Sequence, residues 1–226
     1  MGCFVQALEA LAQPAGGRFS EPQVRSDFIA MIDGYRVLLG KLQAGANIER
    51  NIIGARNEIV AIVAALEEGT VVFSIGPVAK VKINPGLFDL PRSYTLGNAP
   101  AEVPVQIDVG TQTVDGRLVV SEVTTGELSL PEFLKGLDPQ SGEPAGGKID
   151  YAKFNKSDAS HRKFLQMIHI RAAAKFATEL AKAFSGLSGS KAQVQAPDMV
   201  IKVGKASAPA KRVAKELGFN VIETGK

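Results

Sequence analysis

The chain of 226 residues contains one cysteine, two histidines and no tryptophan. A single cysteine excludes an intrachain disulfide framework and a cysteine-rich zinc site. His161 and His169 are eight residues apart and belong to no HExxH pattern, so the sequence does not indicate a zinc centre. We expect His169 to be a packing residue. Without tryptophan, and with aromatic residues that do not interleave with a basic run, binding of single strands by stacking is disfavoured.

Long hydrophobic runs are also missing from the sequence. No apolar stretch reaches the roughly 18 residues that are needed to cross a bilayer. The N-terminus lacks the basic start and the long apolar segment of a secretory signal peptide. We therefore expect a cytoplasmic protein that has no membrane partner.

The overall composition is that of a globular protein, but the charge is unevenly distributed. Hydrophobic residues make up 45% of the chain and charged residues 22%. Residues 148–226 contain 15 Lys and Arg against 6 Asp and Glu, a net charge of +9, whereas the first 147 residues carry 11 against 17. This basic C-terminal third could face phosphates, or its cations could simply solvate exposed helix faces.

The hydrophobic periodicity predicts alternating helices and strands, which is typical of an α/β fold. Helices are predicted over residues 4–12, 21–43, 48–68, 157–185 and 209–217. Strands are predicted over residues 71–75, 78–83, 199–203 and 219–222 and in the segment described next. The proline-rich segment 85–104 and the segment 131–147 are predicted to be loops.

The stretch PVQIDVGTQTVDGRLVVSEVTTG, residues 104–126, predicts two strands that are joined near Asp115 and Gly116. Asp108 and Glu122 each interrupt an apolar run. A two-residue turn would place these acids on opposite faces of the sheet. A three-residue loop, closed by Gly116 in the left-handed region, would place them directly opposite each other on one face. Their Cβ atoms would then be roughly 4.5–5.5 Å apart.

Two opposed carboxylates repel each other unless a cation lies between them. Mg²⁺ is the natural candidate, with Mn²⁺ as a substitute, because Mg²⁺ prefers a few carboxylate oxygens completed by water. If the two-residue turn forms instead, Asp108 caps an exposed edge and Glu122 faces solvent. The sequence pattern leaves both arrangements open.

In these residues the chain resembles the PD-(D/E)xK nuclease superfamily, which has the restriction-endonuclease-like fold. Asp108 takes the place of the motif's first acid, and Glu122-Val123-Thr124 takes the place of Glu-x-Lys. The ending DMVIKVGKASAPAKRVAKELGFNVIE resembles the strand, helix and strand that close such nucleases. The resemblance implies a mixed sheet flanked by helices over residues 47–226. Residues 1–46 would then form an N-terminal helical extension.

The resemblance also implies a metal-dependent nuclease that hydrolyses phosphodiester bonds in DNA or RNA, of the restriction or toxin type. Asp108 and Glu122 would bind Mg²⁺ or Mn²⁺. Glu58, on the predicted helix 48–68, would be an optional third metal ligand. Gln166, on the long helix, would assist the catalytic residues. The implied partners are a nucleic acid and either an inhibitor protein or a second copy of the chain.

The chain departs from the motif at two positions. Thr124 stands where the family has its lysine, and Ile107 stands where proline is frequent. The hydroxyl of Thr124 could hold a water but supplies no charge, so the lysine would come from another element: Lys153, Lys163 or Lys202. The departures leave two outcomes open: a working nuclease variant, or a nuclease-like module that binds nucleic acid or protein without catalysis. A third hypothesis is an α/β protein of unrelated function whose acids lie at the surface.

Overall fold

The computed structural model describes residues 5, 19–76, 78–82, 93–124, 126–144, 146–172 and 198–224. Apart from Val5, the helix predicted over residues 4–12 lies outside the described residues, as does the part of the helix predicted over residues 157–185 that follows residue 172. The described helices and strands are, in chain order, α1 (Pro22–Gln43), α2 (Glu49–Glu67), β1 (Val71–Ile75), β2 (Val78–Lys82), β3 (Tyr94–Gly97), β4 (Glu102–Gln106), β5 (Val109–Gln112), β6 (Leu118–Val123), β7 (Glu127–Leu128), β8 (Gly147–Asp150), α3 (Ala159–Ala172), β9 (Asp198–Val203), β10 (Lys205–Ala206), α4 (Ala208–Glu216) and β11 (Phe219–Glu223).

The chain is an α/β protein that divides into two compact units. The first unit comprises Met1–Pro77 and Ile107–Thr125, and the second comprises Val78–Gln106 and Gly126–Lys226. This division does not follow the boundary predicted after residue 46, because α1 and α2 both belong to the first unit.

In the first unit, α1 and α2 pack on a three-stranded antiparallel arrangement of β1, β5 and β6. Helix α1 begins with Pro22, whose missing N–H is not needed in the first turn. It buries residues at three- and four-residue spacing, which is the pattern of an amphipathic helix. Beyond the end of α2, Gly69 adopts a φ of 83°, a left-handed conformation that glycine reaches without strain. The shared core consists of Val24, Phe28, Ile32, Tyr35, Ile52, Ile59, Ile62, Leu66, Val72 and Val109.

Strand β1 contains an irregularity that the sequence did not predict. The register with β5 shifts between Val72 and Ser74, so Phe73 is an extra residue in the ladder. The ring of Phe73 lies over Gly110 of β5, where an added Cβ would meet the ring carbon Cζ at 2.8 Å. Because Gly110 has no side chain, the buried Phe73 ring can occupy the space above it.

The loop between β5 and β6 has three residues, as the same-face arrangement requires. The Thr113 N–H donates to the Arg117 carbonyl at 2.9 Å, and the Gly116 N–H donates to the Thr113 carbonyl at 2.9 Å. Gly116 has a φ of 85°, the left-handed conformation that closes such a loop. The three-residue alternative is thus confirmed, and the two-residue turn is wrong.

Because only glycine adopts this φ readily, Gly116→Ala is expected to destabilise the protein by about 1–2 kcal/mol. Gly116→Asn should cause a clearly smaller loss, since asparagine visits the left-handed region more easily. Denaturant unfolding of the three proteins measures the difference. Equal losses for alanine and asparagine would show that the backbone conformation at residue 116 is not what the glycine provides.

The second unit contains four strand pairs and two described helices. Strands β9 and β11 pair in parallel and are connected through α4, which ends before Gly218 at a φ of 86°. Strand β2 pairs with β4 antiparallel, while β3 with β8 and β7 with β10 are parallel pairs. Helix α3 buries Phe164, Leu165, Met167 and Ile168.

The loop predicted over residues 85–104 is wrong in part, because it contains β3 and most of β4. Pro104 lies within β4, opposite Lys80 of β2. Proline has no backbone N–H and cannot donate a hydrogen bond to a neighbouring strand, although its carbonyl can still accept one. A strand can therefore contain proline at a position where no donor is needed. The loop predicted over residues 131–147 likewise contains a 3₁₀ helix, Glu132–Leu137.

Candidate functional site

The site predicted from the hairpin is built from the register of β5 and β6. Val109 pairs with Ser121 and Gly110 with Val120. Extending this register by one residue places Asp108 opposite Glu122. The exposed fraction is 7% for Asp108 and 0% for Glu122. The hypothesis in which both acids lie at the surface is therefore wrong.

Asp108 does not lie in the middle of a strand, as the apolar run around it suggested. Strand β4 ends at Gln106 and β5 begins at Val109, so Asp108 occupies the junction between them. Its side-chain Oδ2 accepts the Val123 N–H at 2.7 Å, and its backbone carbonyl accepts the Gly76 N–H at 2.9 Å. The Asp108 carboxylate thus accepts a hydrogen bond from β6 in the way that a backbone carbonyl of a neighbouring strand would, and this bond fixes the orientation of the carboxylate.

Two buried carboxylates at opposed positions need positive charge or hydrogen-bond donors to offset their repulsion, and the Val123 N–H is one such donor to Asp108. Two carboxylate charges at the roughly 5 Å that separates the Cβ atoms of directly opposed residues would repel by roughly 3 kcal/mol at an effective dielectric constant of about 20. Burial adds the loss of hydration of both groups. A divalent cation between Asp108 and Glu122 would turn this repulsion into attraction.

The donor set suits magnesium or manganese, which bind one or two protein carboxylates and keep several waters. The hydrogen bond from Val123 to Asp108 resembles the outer interactions that orient metal ligands. Within the part of the chain that the structure describes, no group of three or more His, Cys, Asp or Glu side chains could hold a metal ion. A site at the hairpin would therefore have two carboxylates and complete its coordination with water and substrate.

Glu58 is not brought into a three-acid group with Asp108 and Glu122 in the described part of the chain. It is half-buried on α2 and precedes the buried residues Ala61, Ile62 and Ala65 by three, four and seven positions. This spacing places it on the buried side of the helix. Its role as a third metal ligand stays a prediction.

Thr124 and Gln166 have different surroundings. Thr124 is half-buried and directly follows β6, two positions after Glu122 and therefore on the same side by the strand period. Gln166 uses its Nε2 to donate to the Gln106 carbonyl at 2.6 Å. Its amide thus holds the end of β4, two residues before Asp108 in the chain, so the contact that the structure shows is a positioning contact.

His169 makes a second contact of this kind, which sequence reasoning missed. It hydrogen-bonds the Pro104 carbonyl, and its Nε2 is buried without a hydrogen-bond partner among the described residues. The bond to Pro104 is therefore made by Nδ1. Gln166 and His169 are three positions apart on α3. Their side chains donate hydrogen bonds to two alternate carbonyls of β4, which a neighbouring strand would otherwise satisfy. Two polar residues at this spacing on an apolar helix face were the available signal.

Burial lowers the pKa of His169 to about 4, against the effect of the Pro104 hydrogen bond and with the help of the positive charge of Lys156. The unfolded chain therefore binds this proton more readily than the folded protein does. The stability that comes from neutral His169 is present above pH 6.5 and is lost as the pH falls toward 4.

We expect the free energy of unfolding to fall by about 2 kcal/mol between pH 8 and pH 5 on account of His169 alone. His169→Gln removes the titrating group but keeps an N–H that can reach Pro104. Between pH 8 and pH 5 the free energy of unfolding of this variant should therefore fall by about 2 kcal/mol less than that of the wild-type protein. Urea unfolding at several pH values compares the two proteins. Parallel pH profiles would contradict a neutral, buried His169.

No protein-family model, curated protein or solved structure matches this chain. The resemblance to the PD-(D/E)xK superfamily therefore rests on the sequence motif and its placement alone. In the described ranges of the chain, no helix has the length and apolar character needed to cross a membrane.

Proposed function

We propose that the chain is a metal-dependent nuclease of the restriction or toxin type, which hydrolyses phosphodiester bonds in DNA or RNA. One observation supports the proposal most: the register of β5 and β6, extended by one residue beyond the Val109–Ser121 pair, sets Asp108 opposite Glu122, and both acids are buried. The sequence motif places the same two acids in the metal-binding positions of the PD-(D/E)xK superfamily. The restriction-endonuclease-like fold of residues 47–226 is part of this proposal.

Each residue has a distinct task in the proposed site. Asp108 and Glu122 would hold Mg²⁺ or Mn²⁺, and the Val123 N–H keeps the Asp108 carboxylate oriented. When bound, such an ion lowers the pKa of a water and offsets charge on the phosphoryl oxygens. Thr124 would hold a water through its hydroxyl. Gln166 and His169 would keep β4, which leads into Asp108, in place.

Incubation of the pure protein with supercoiled plasmid or with tRNA tests the proposal. We expect cleavage in the presence of Mg²⁺ or Mn²⁺ and none in EDTA. The absence of cleavage of both substrates with either ion, at protein concentrations where nucleic acid is bound, would overturn the enzymatic part.

A second candidate function is a nuclease-like module that binds nucleic acid or protein without catalysis. Two observations favour it: Thr124 replaces the motif lysine, and Glu122 is completely buried. A catalytic ion must be reached by its substrate, which complete burial of a ligand opposes. Salt-sensitive binding without cleavage is the result that this candidate predicts.

A further inference from the structure

Exposed cations are concentrated on one segment of the second unit. Lys148 lies in β8, Lys153 in the 3₁₀ turn that follows, Lys156 just before α3, and Arg162 in its first turns. All four side chains are exposed. We call Lys148, Lys153 and Lys156 the lysine surface.

Local contacts position the segment that carries the lysine surface. The stem of Lys148 runs across Gly97 of the neighbouring β3, where an added Cβ would lie 2.7 Å from Cγ and Cδ. The Nζ of Lys156 lies 6.0 Å from the centroid of the Tyr151 ring. A guanidinium nitrogen of Arg162 donates to the Lys156 carbonyl at 2.8 Å, which ties the segment to α3.

The acids of this segment are engaged in local hydrogen bonds. Asp150 accepts from Asn98 Nδ2 and from the Ala152 N–H, both at 3.0 Å. These bonds, followed by the charges of Lys153 and Lys148, lower the pKa of Asp150. Asp158 accepts the His161 N–H at 3.0 Å at the start of α3.

The lysine surface carries a net positive charge toward solvent. Within the described ranges, no ion pair within 4 Å involves Lys148, Lys153 or Lys156. The basic helix α4 differs in this respect. Its Lys211 pairs with Glu223 at 2.8 Å, and its Arg212 pairs with Asp138 at 2.7 Å. Among the described residues, these three lysines therefore present charge that no ion pair neutralises, in contrast to Lys211 and Arg212.

We infer that the lysine surface binds the phosphate backbone of a nucleic acid. The choice of this ligand rests on the proposed function together with the charge of the surface. Tyr151, the aromatic residue next to these lysines, stacks on His169 with ring centroids 5.8 Å apart, so this face of its ring is occupied. We expect the surface to contact phosphates, which carry no sequence information, and therefore to bind without strong sequence preference.

The test is the affinity of the full chain for a 20-base-pair DNA duplex and a 20-base-pair RNA hairpin, measured by fluorescence anisotropy in EDTA. The triple variant Lys148→Gln, Lys153→Gln, Lys156→Gln is compared with Lys41→Gln, Lys135→Gln, Lys211→Gln, which removes the same charge elsewhere. We expect the first to weaken binding at least about tenfold at 0.1 M salt and to reduce the salt slope by about 2–3. The second should change affinity only slightly.

Three results would overturn the inference: equal affinities of the two triple variants, no binding of either nucleic acid by the wild-type chain, or binding through these lysines to phosphatidylserine vesicles alone. EDTA prevents cleavage, so the binding result does not depend on catalysis. Lysine-dependent binding without any cleavage in Mg²⁺ would contradict the proposed nuclease function and support the inferred binding surface. Cleavage by a lysine variant whose affinity is unaltered would support the nuclease function and contradict the binding surface.

Discussion

Glu122→Gln is expected to lower the Mg²⁺-dependent cleavage rate about a thousandfold. A metal ligand at a phosphoryl-transfer site contributes several kcal/mol of charge stabilisation, and about 4 kcal/mol corresponds to a factor of about 10³ in rate. The amide has nearly the same volume as the carboxylate and fits the same buried space. Asp108→Asn should have the same effect, because its carbonyl oxygen can still accept the Val123 N–H while the charge is lost.

The matched control is Glu102→Gln, which removes an exposed carboxylate of β4. It should cleave at the wild-type rate. Single-turnover rates on plasmid, with thermal unfolding in EDTA as a check of folding, separate catalysis from stability. A Glu122→Gln variant that folds normally and retains the wild-type rate would show that cleavage takes place at another site.

Gly110→Val is expected to destabilise the protein by about 3 kcal/mol, and Gly110→Ala by about 2 kcal/mol, because added atoms overpack the core. The ring of Phe73, in the irregular part of β1, already occupies the position of a side chain at residue 110. Since Gly110 follows Asp108 on the same segment, the displaced strand would also weaken metal binding.

Gly34→Ala is the matched control, and it should stabilise the protein where the substitutions at Gly110 destabilise it. Gly34 lies within α1, and an added Cβ there would meet no atom within 4 Å. Alanine should stabilise the protein by about 0.5–1 kcal/mol through its higher helix propensity. Denaturant unfolding measures both positions, and losses of equal size at residues 34 and 110 would contradict the packing of Phe73 on Gly110.

The sequence restricted the hairpin to two alternative registers through its turn chemistry, and only the structure decided between them. A glycine after aspartate favours a left-handed residue, and only two loop lengths were compatible with the flanking strands. The helices α1, α2 and α4 and the strand–helix–strand ending were predictable for a similar reason. Their apolar spacing and their glycine stops are local features of the sequence.

Other features depend on contacts between residues that are distant in the chain. The first part of strand β4 was predicted to be a loop because it lies in the proline-rich segment 85–104, and its pairing with β2 and the His169 contact reveal it as a strand. The irregularity at Phe73 depends on the space at Gly110. Asp108 appeared to be mid-strand because its apolar neighbours give no sign that its carboxylate replaces a backbone acceptor.

Calorimetric titration of the pure chain with Mn²⁺ tests the central claim most directly. The opposed, buried acids Asp108 and Glu122 predict uptake of one ion per chain, which is lost in both Asp108→Asn and Glu122→Gln and retained in Glu102→Gln. No uptake by the wild-type chain, or equal uptake by the two amide variants, would contradict the account.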